Sequence, residues 1–147
     1  MKPIITILCC FLFVAVSNSQ GKYLTKSGTI NFYSKAPMED ITADNNQVLS
    51  IIDASNSKMA ISILMKSFLF EKALMQEHFN ENYVESDKYP KATFKGTIVD
   101  FDAVNETTSK RKVKGVLTIH GVSKEMVIEA NMTKKDDSIL VDGNFMV

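Results

Sequence analysis

The sequence predicts a mainly antiparallel all-β domain, a sandwich or barrel, carrying one short helix. Three observations lead there. Apolar and polar residues alternate in seven separate runs between residues 28 and 147, the period-two signature of half-buried strands. One stretch, 70–83, switches to helical spacing. The runs follow one another without the strand–helix–strand alternation that builds parallel sheets.

The chain opens MKPIITILCCFLFVAVSNSQ. Lys2 supplies positive charge, an apolar run follows from Ile4 to Val16, and small residues stand at 17 and 19. That order reads as a secretory signal peptide over 1–19, with 20–147 as the mature domain. The apolar run falls short of the ~20 residues that span a bilayer, so no stable membrane anchor is expected after cleavage. Cys9 and Cys10 leave with the leader, and the mature chain then has neither a disulfide framework nor a thiolate metal site. Loss of Lys2 leaves 16 basic against 17 acidic side chains. Such a balance offers nucleic acid no electrostatic footprint.

In the first run, GTINFYS (28–34), Ile30 and Phe32 share a face. QVLSIIDA (47–54) is a more continuous apolar run, bounded by Asn45-Asn46 and by a Ser-Asn-Ser turn signal. KMAISILMKSF (58–68) places Met59, Ile61, Ile63 and Met65 on one side. FEKALMQEHFNENY (70–83) is the helix, which Pro90 keeps from continuing through Tyr89. Its residues Leu74, Met75 and Phe79 are expected toward the interior or its mouth, with Glu71, Lys72 and Gln76 in water. Strands resume at 91–101, where Ala92, Phe94 and Ile98 share a face, and continue at 112–120 and 125–132. In that last hairpin Leu117, Ile119, Met126 and Ile128 should point inward together, with His120 at a strand end. Residues 138–147 form the final run.

Catalytic constellations are absent from this pattern. His78 and His120 are 42 positions apart without a partner at metal-ligand spacing. Ser123 near His120 lacks an orienting carboxylate and a recognisable oxyanion hole. The pairs Asp100/Asp102 and Asp136/Asp137, like the basic run SKRKVKG at 109–115, read as solvated. Catalytic residues and bound metal are therefore not expected, and the domain is read as a non-enzyme.

Two segments carry a resemblance. ALMQEHFNENYVESDKYPKATFKGTI (73–98) and VKGVLTIHGVSKEMVIEA (113–130) together resemble the YceI-like family, with Ser123 where threonine is usual. The resemblance implies a lipocalin-like antiparallel β-barrel, usually eight-stranded, with one short helix. Family members are exported to the periplasm or secreted, frequently dimeric, and without an established enzyme activity. It further implies that the barrel holds an isoprenoid lipid such as a polyprenyl quinone or phosphate, with no other cofactor. A homodimer is accordingly among the expected partners.

Strand parity and motif position give the expected cavity lining: Ile30, Phe32, Ile61, Ile63, Phe79, Phe94, Ile98, Leu117, Ile119, Met126 and Ile128. The alternative is an envelope stress or interaction protein whose barrel is solid and holds no ligand. The chain stops at Val147 inside an alternating run, so a closing strand is expected beyond it. On that reading a gap separates residues 28–34 from 138–147, and the exposed strand edges make the 1–147 chain poorly soluble.

Overall fold

The computed structural model describes residues 21–35 and 40–147, together with the strand backbone of 5–6 and 10–16. The strands are β1 (Ile5–Thr6), β2 (Cys10–Val16), β3 (Lys22–Ser34), β4 (Ile41–Asp53), β5 (Lys58–Leu64), β6 (Lys91–Ile98), β7 (Ser109–Ile119), β8 (Val122–Lys135) and β9 (Ser138–Gly143). From β3 onward each strand pairs antiparallel with the next. Helix α1 (Ala73–His78) lies in the connection between β5 and β6.

The ring closes in an unexpected place. β2 lies between β9 and β3, antiparallel to both. The gap expected between residues 28–34 and 138–147 is thus filled by backbone of the N-terminal apolar run. The reason is geometric: β3 and β9 point the same way, and direct pairing would make a parallel contact without a crossover. A strand inserted antiparallel to both removes the conflict and satisfies both edges. The remainder of the expected signal segment, 1–4, 7–9 and 17–19, lies outside the described residues.

Period-two alternation sets what faces inward. Ile30 and Phe32 on β3, Met59 and Ile63 on β5, Ala92, Phe94 and Ile98 on β6, and Val113 and Leu117 on β7 are all buried. Met132 on β8 and Ile139 and Val141 on β9 complete the wall. Fully burying one such large side chain contributes about 1.5–3 kcal/mol. These strands hold the core together.

β4 departs from its expected bounds. It begins at Ile41 and runs through Asn45-Asn46, which the sequence marks as a break. Asn45 is buried; its Nδ2 donates to the Leu64 carbonyl at 3.1 Å and its Oδ1 accepts from the Gln47 amide at 2.9 Å. The register against β3 shifts at this point, so the Asn pair marks a bulge and not a turn. Inward parity changes from Ile41 and Ala43 to Val48 and Ile52 across it, and Leu49 and Ile51 are left exposed on the outer face.

The β7–β8 connection is as tight as a hairpin allows. Ile119 pairs with Val122, leaving His120 and Gly121 as the two loop residues at φ +54° and +73°. Two positive φ values in a two-residue loop match the twist of a type I′ turn. Gly121 is needed twice over, for its φ and because an added Cβ would meet the Tyr89 ring at 2.7 Å.

The helix is shorter than its sequence pattern. After α1 the chain widens into a π-type turn, Phe79–Tyr83. Phe79 is buried and Met75 packs against the core, but Leu74 is 66% exposed. This corrects the expected interior placement of Leu74. At 3.6 residues per turn, Leu74 and Phe79 project about 140° apart, whereas Met75 and Phe79 are about 40° apart. Only the second pair shares a face. Glu71 and Lys72 are exposed, while Gln76 is half-buried.

Candidate functional site

The barrel interior is where sequence and structure converge. At the helix end, four phenylalanines close it. The Phe32 ring stacks on Phe79 at 5.3 Å and meets Phe68 edge-on at 5.2 Å, and Phe70 lies 5.0 Å from Phe79. Such aromatic pairs contribute about 0.5–1.5 kcal/mol beyond burial and fix ring orientation. Beneath them lies an apolar void of about 40 Å³, lined by Ile30, Phe32, Ile63, Met65, Phe68, Phe79, Val84, Ala92, Leu117, Ile119 and Phe145. A second void of about 40 Å³ is lined by Met59, Ile61, Phe94, Val113, Ile128, Ala130, Val141, Gly143 and Phe145.

The expected lining residues fall into three groups. Ile30, Phe32, Ile63, Phe79, Leu117 and Ile119 border the first void. Ile61, Phe94 and Ile128 border the second. Ile98 is buried in the core and lines neither; Met126 is half-buried and borders an open concavity on the outer wall with Lys114, Val116 and Val127. Sequence reasoning omitted Met59, Val113, Ala130, Val141 and Phe145, although each has the parity of an inward neighbour. Phe68 and Val84 had no periodic signal, because both lie outside regular elements.

The two histidines have separate partners. His78 Nδ1 lies 3.1 Å from Asn82 Nδ2 on the helix exterior. His120 Nε2 donates to Glu85 Oε2 at 2.5 Å, and the Tyr89 ring stands edge-on to the imidazole at 4.9 Å. Neither histidine lines a void. Among the described residues, no group of three or more His, Cys, Asp or Glu side chains is placed to hold a metal ion. Asp100 and Asp102 are exposed, and they sit in and beside a 3₁₀ turn rather than on a strand. In the basic run, Lys110, Lys112 and Lys114 project outward from β7.

The Glu85–His120 contact fastens the segment after the helix to the β7–β8 hairpin. That segment contributes Val84 and Phe79 to the first void, so the contact holds the cover in place. The hydrogen bond from His120, with the nearby Lys88 charge adding to it, holds the Glu85 carboxyl below its usual range; partial desolvation opposes this. A carboxyl lowered on folding stabilises the fold above its unfolded value and loses that contribution as pH falls through the folded value. Glu85→Gln is therefore expected to lower the thermal midpoint at neutral pH and to match the parent in strong acid. A gap that is equally wide at both pH values would contradict the assignment.

An antiparallel barrel wrapped round an apolar, aromatic-capped interior defines a lipocalin-type architecture. The sequence profile of the YceI-like domain matches residues 12–147, and the chain belongs to the YceI-like family. Among solved structures, it is similar to a polyisoprenoid binding domain from Saccharophagus degradans implicated in plant cell wall breakdown. That pair has a TM-score of 0.65 and 17% identity, covering 95% of this chain and 74% of the other. It is also similar to a Campylobacter jejuni YCEI protein that crystallises with large solvent channels. Here the TM-score is 0.53 and the identity 17%, covering 77% of this chain and 87% of the other. At these identities the likeness is one of fold. No curated protein sequence matches the chain. No helix among the described residues is long and apolar enough to cross a membrane.

Proposed function

We propose that this chain is an exported, non-enzymatic carrier that holds an isoprenoid or similar lipid in its barrel. The observation that carries the reading is the lining itself: both voids are bordered by aliphatic and aromatic side chains, with no charged residue in either. A long apolar chain is the ligand class such a wall accepts, because burying a polar group there would leave it unpaired. The similar fold of the polyisoprenoid binding domain from Saccharophagus degradans supports the same ligand class.

Export rests on the leader-like order of residues 1–19, and the reading places the protein in the periplasm or outside the cell. Leader removal would take β2 away and open the wall between β3 and β9, a lateral route into the interior. Homodimerisation also belongs to this reading, on the family resemblance alone.

A filled barrel acting through its surface is the second reading, favoured by one feature of the structure. Each void is about 40 Å³, whereas ligand pockets commonly enclose about 300–1,000 Å³. Binding a lipid therefore requires side chains to move. Organic extraction of the purified, processed protein followed by mass spectrometry separates the two readings. The carrier should yield an isoprenoid-class lipid in a fixed ratio to protein. Repeated recovery of empty protein that no apolar probe enters would leave the surface-acting reading.

A further inference from the structure

We propose that Phe145 is a movable partition that sets how long a lipid chain the barrel accepts. The proposal rests on the carrier reading and deepens it. Phe145 borders both voids, and among the described residues no other borders the two of them. On one side its ring faces the space under Phe32 and Phe79; on the other it faces Phe94, Ile128 and Val141. The two volumes share this ring as a common wall.

What holds that ring differs from what holds its neighbours. The ladders of β9 with β2 and β8 both reach Gly143 and stop there. Residues 144–147 belong to no strand or helix. Phe145 is half-buried and packs against the core, so its place depends on side-chain contact and not on sheet pairing. By contrast, Phe94 and Ile128 are locked into paired strands. Gly143, two residues earlier, is packed closely on β8, since a Cβ there would meet the Glu129 carbonyl at 2.8 Å. Moving Phe145 therefore disrupts no strand pairing, unlike moving the strand residues that line the two voids. With the ring in place the two chambers are divided from each other; with it displaced they join.

The test compares the wild-type chain with Phe145→Ala and Phe145→Leu, using farnesol as a short isoprenoid probe and solanesol as a long one. Thermal midpoints first establish that each variant is folded. The Ala variant should bind solanesol about tenfold more tightly than wild type, with farnesol changed several times less and Phe145→Leu intermediate. Equal changes for both probes, or none, in proteins that do bind them would overturn the partition. Benzene uptake, followed by NMR line shifts, gives a readout independent of lipid. An engineered apolar cavity of about 150 Å³ binds benzene, well above either void alone. The joined cavity of Phe145→Ala should admit it while the wild type excludes it. If no variant binds either isoprenoid but the Ala variant takes up benzene, the ring does divide the interior, and it is the carrier reading, with the chain-length role built on it, that falls. If benzene is also excluded from the Ala variant, the partition falls too.

Discussion

Phe79→Ala is expected to lower the unfolding free energy by about 3–5 kcal/mol, the range for deleting a buried aromatic ring. The ring is buried and touches three others: Phe32 stacked at 5.3 Å, Phe68 at 5.7 Å and Phe70 at 5.0 Å. Truncation removes its transfer free energy and leaves its neighbours facing a hole. Collapse around that hole is limited, because Phe32 is fixed on β3 and the void beside it is already unfilled. Denaturant unfolding followed by far-UV circular dichroism checks the value, with Phe79→Leu as a milder companion. A loss below about 1 kcal/mol for the Ala variant would show that the cap contributes little to the fold.

Gly115→Ala should destabilise by about 1–3 kcal/mol, and Gly115→Val by more, through overpacking. Gly115 pairs directly with Gly96 across β6 and β7. A Cβ on Gly115 would lie 2.4 Å from the Lys95 carbonyl oxygen, 2.7 Å from the Gly96 Cα and 2.7 Å from the tip of the Phe94 ring. Two of those three neighbours are backbone, so rotamer change alone cannot relieve the clash. The bare glycine pair lets the strands approach and gives the Phe94 ring a surface to cover. Shortening the ring in Phe94→Leu/Gly115→Ala should recover only the part of the loss that the ring causes. Wild-type unfolding for Gly115→Ala would show that the sheet opens there without cost.

The β7–β8 hairpin was the most legible part of the molecule. One strict alternation ran along each strand, and that fixes register because a slip by one residue exchanges the faces. The loop, expected between strands 112–120 and 125–132, is tightened in the structure to His120 and Gly121. The observed pairing puts Leu117 in the core, Ile119, Met126 and Ile128 half-buried against it, and His120 in the turn. The helix was legible in position but not in extent. Leu74 fits an apolar stripe by composition, yet the element makes too few turns to bury more than the Met75–Phe79 face.

Other features were decided by tertiary structure. A pair of asparagines reads as a turn until a distant carbonyl, that of Leu64, accepts from Asn45 and turns the irregularity into a bulge. The apolar run from Ile4 to Val16 suits a leader and a strand equally, since composition carries no information about what lies alongside. Only the parallel orientation of β3 and β9 creates a seam that an antiparallel strand can fill. Phe145 shows the same division. Its place in an alternating run with Val141 was legible, but its place in the lining was not, because bordering two voids at once is a relation among strands far apart in sequence. The sequence by itself determined which residues are apolar, at what period, and so which way each strand faces. Ring closure, the bulge in β4 and the division of the interior depend on long-range contacts that a local pattern does not contain.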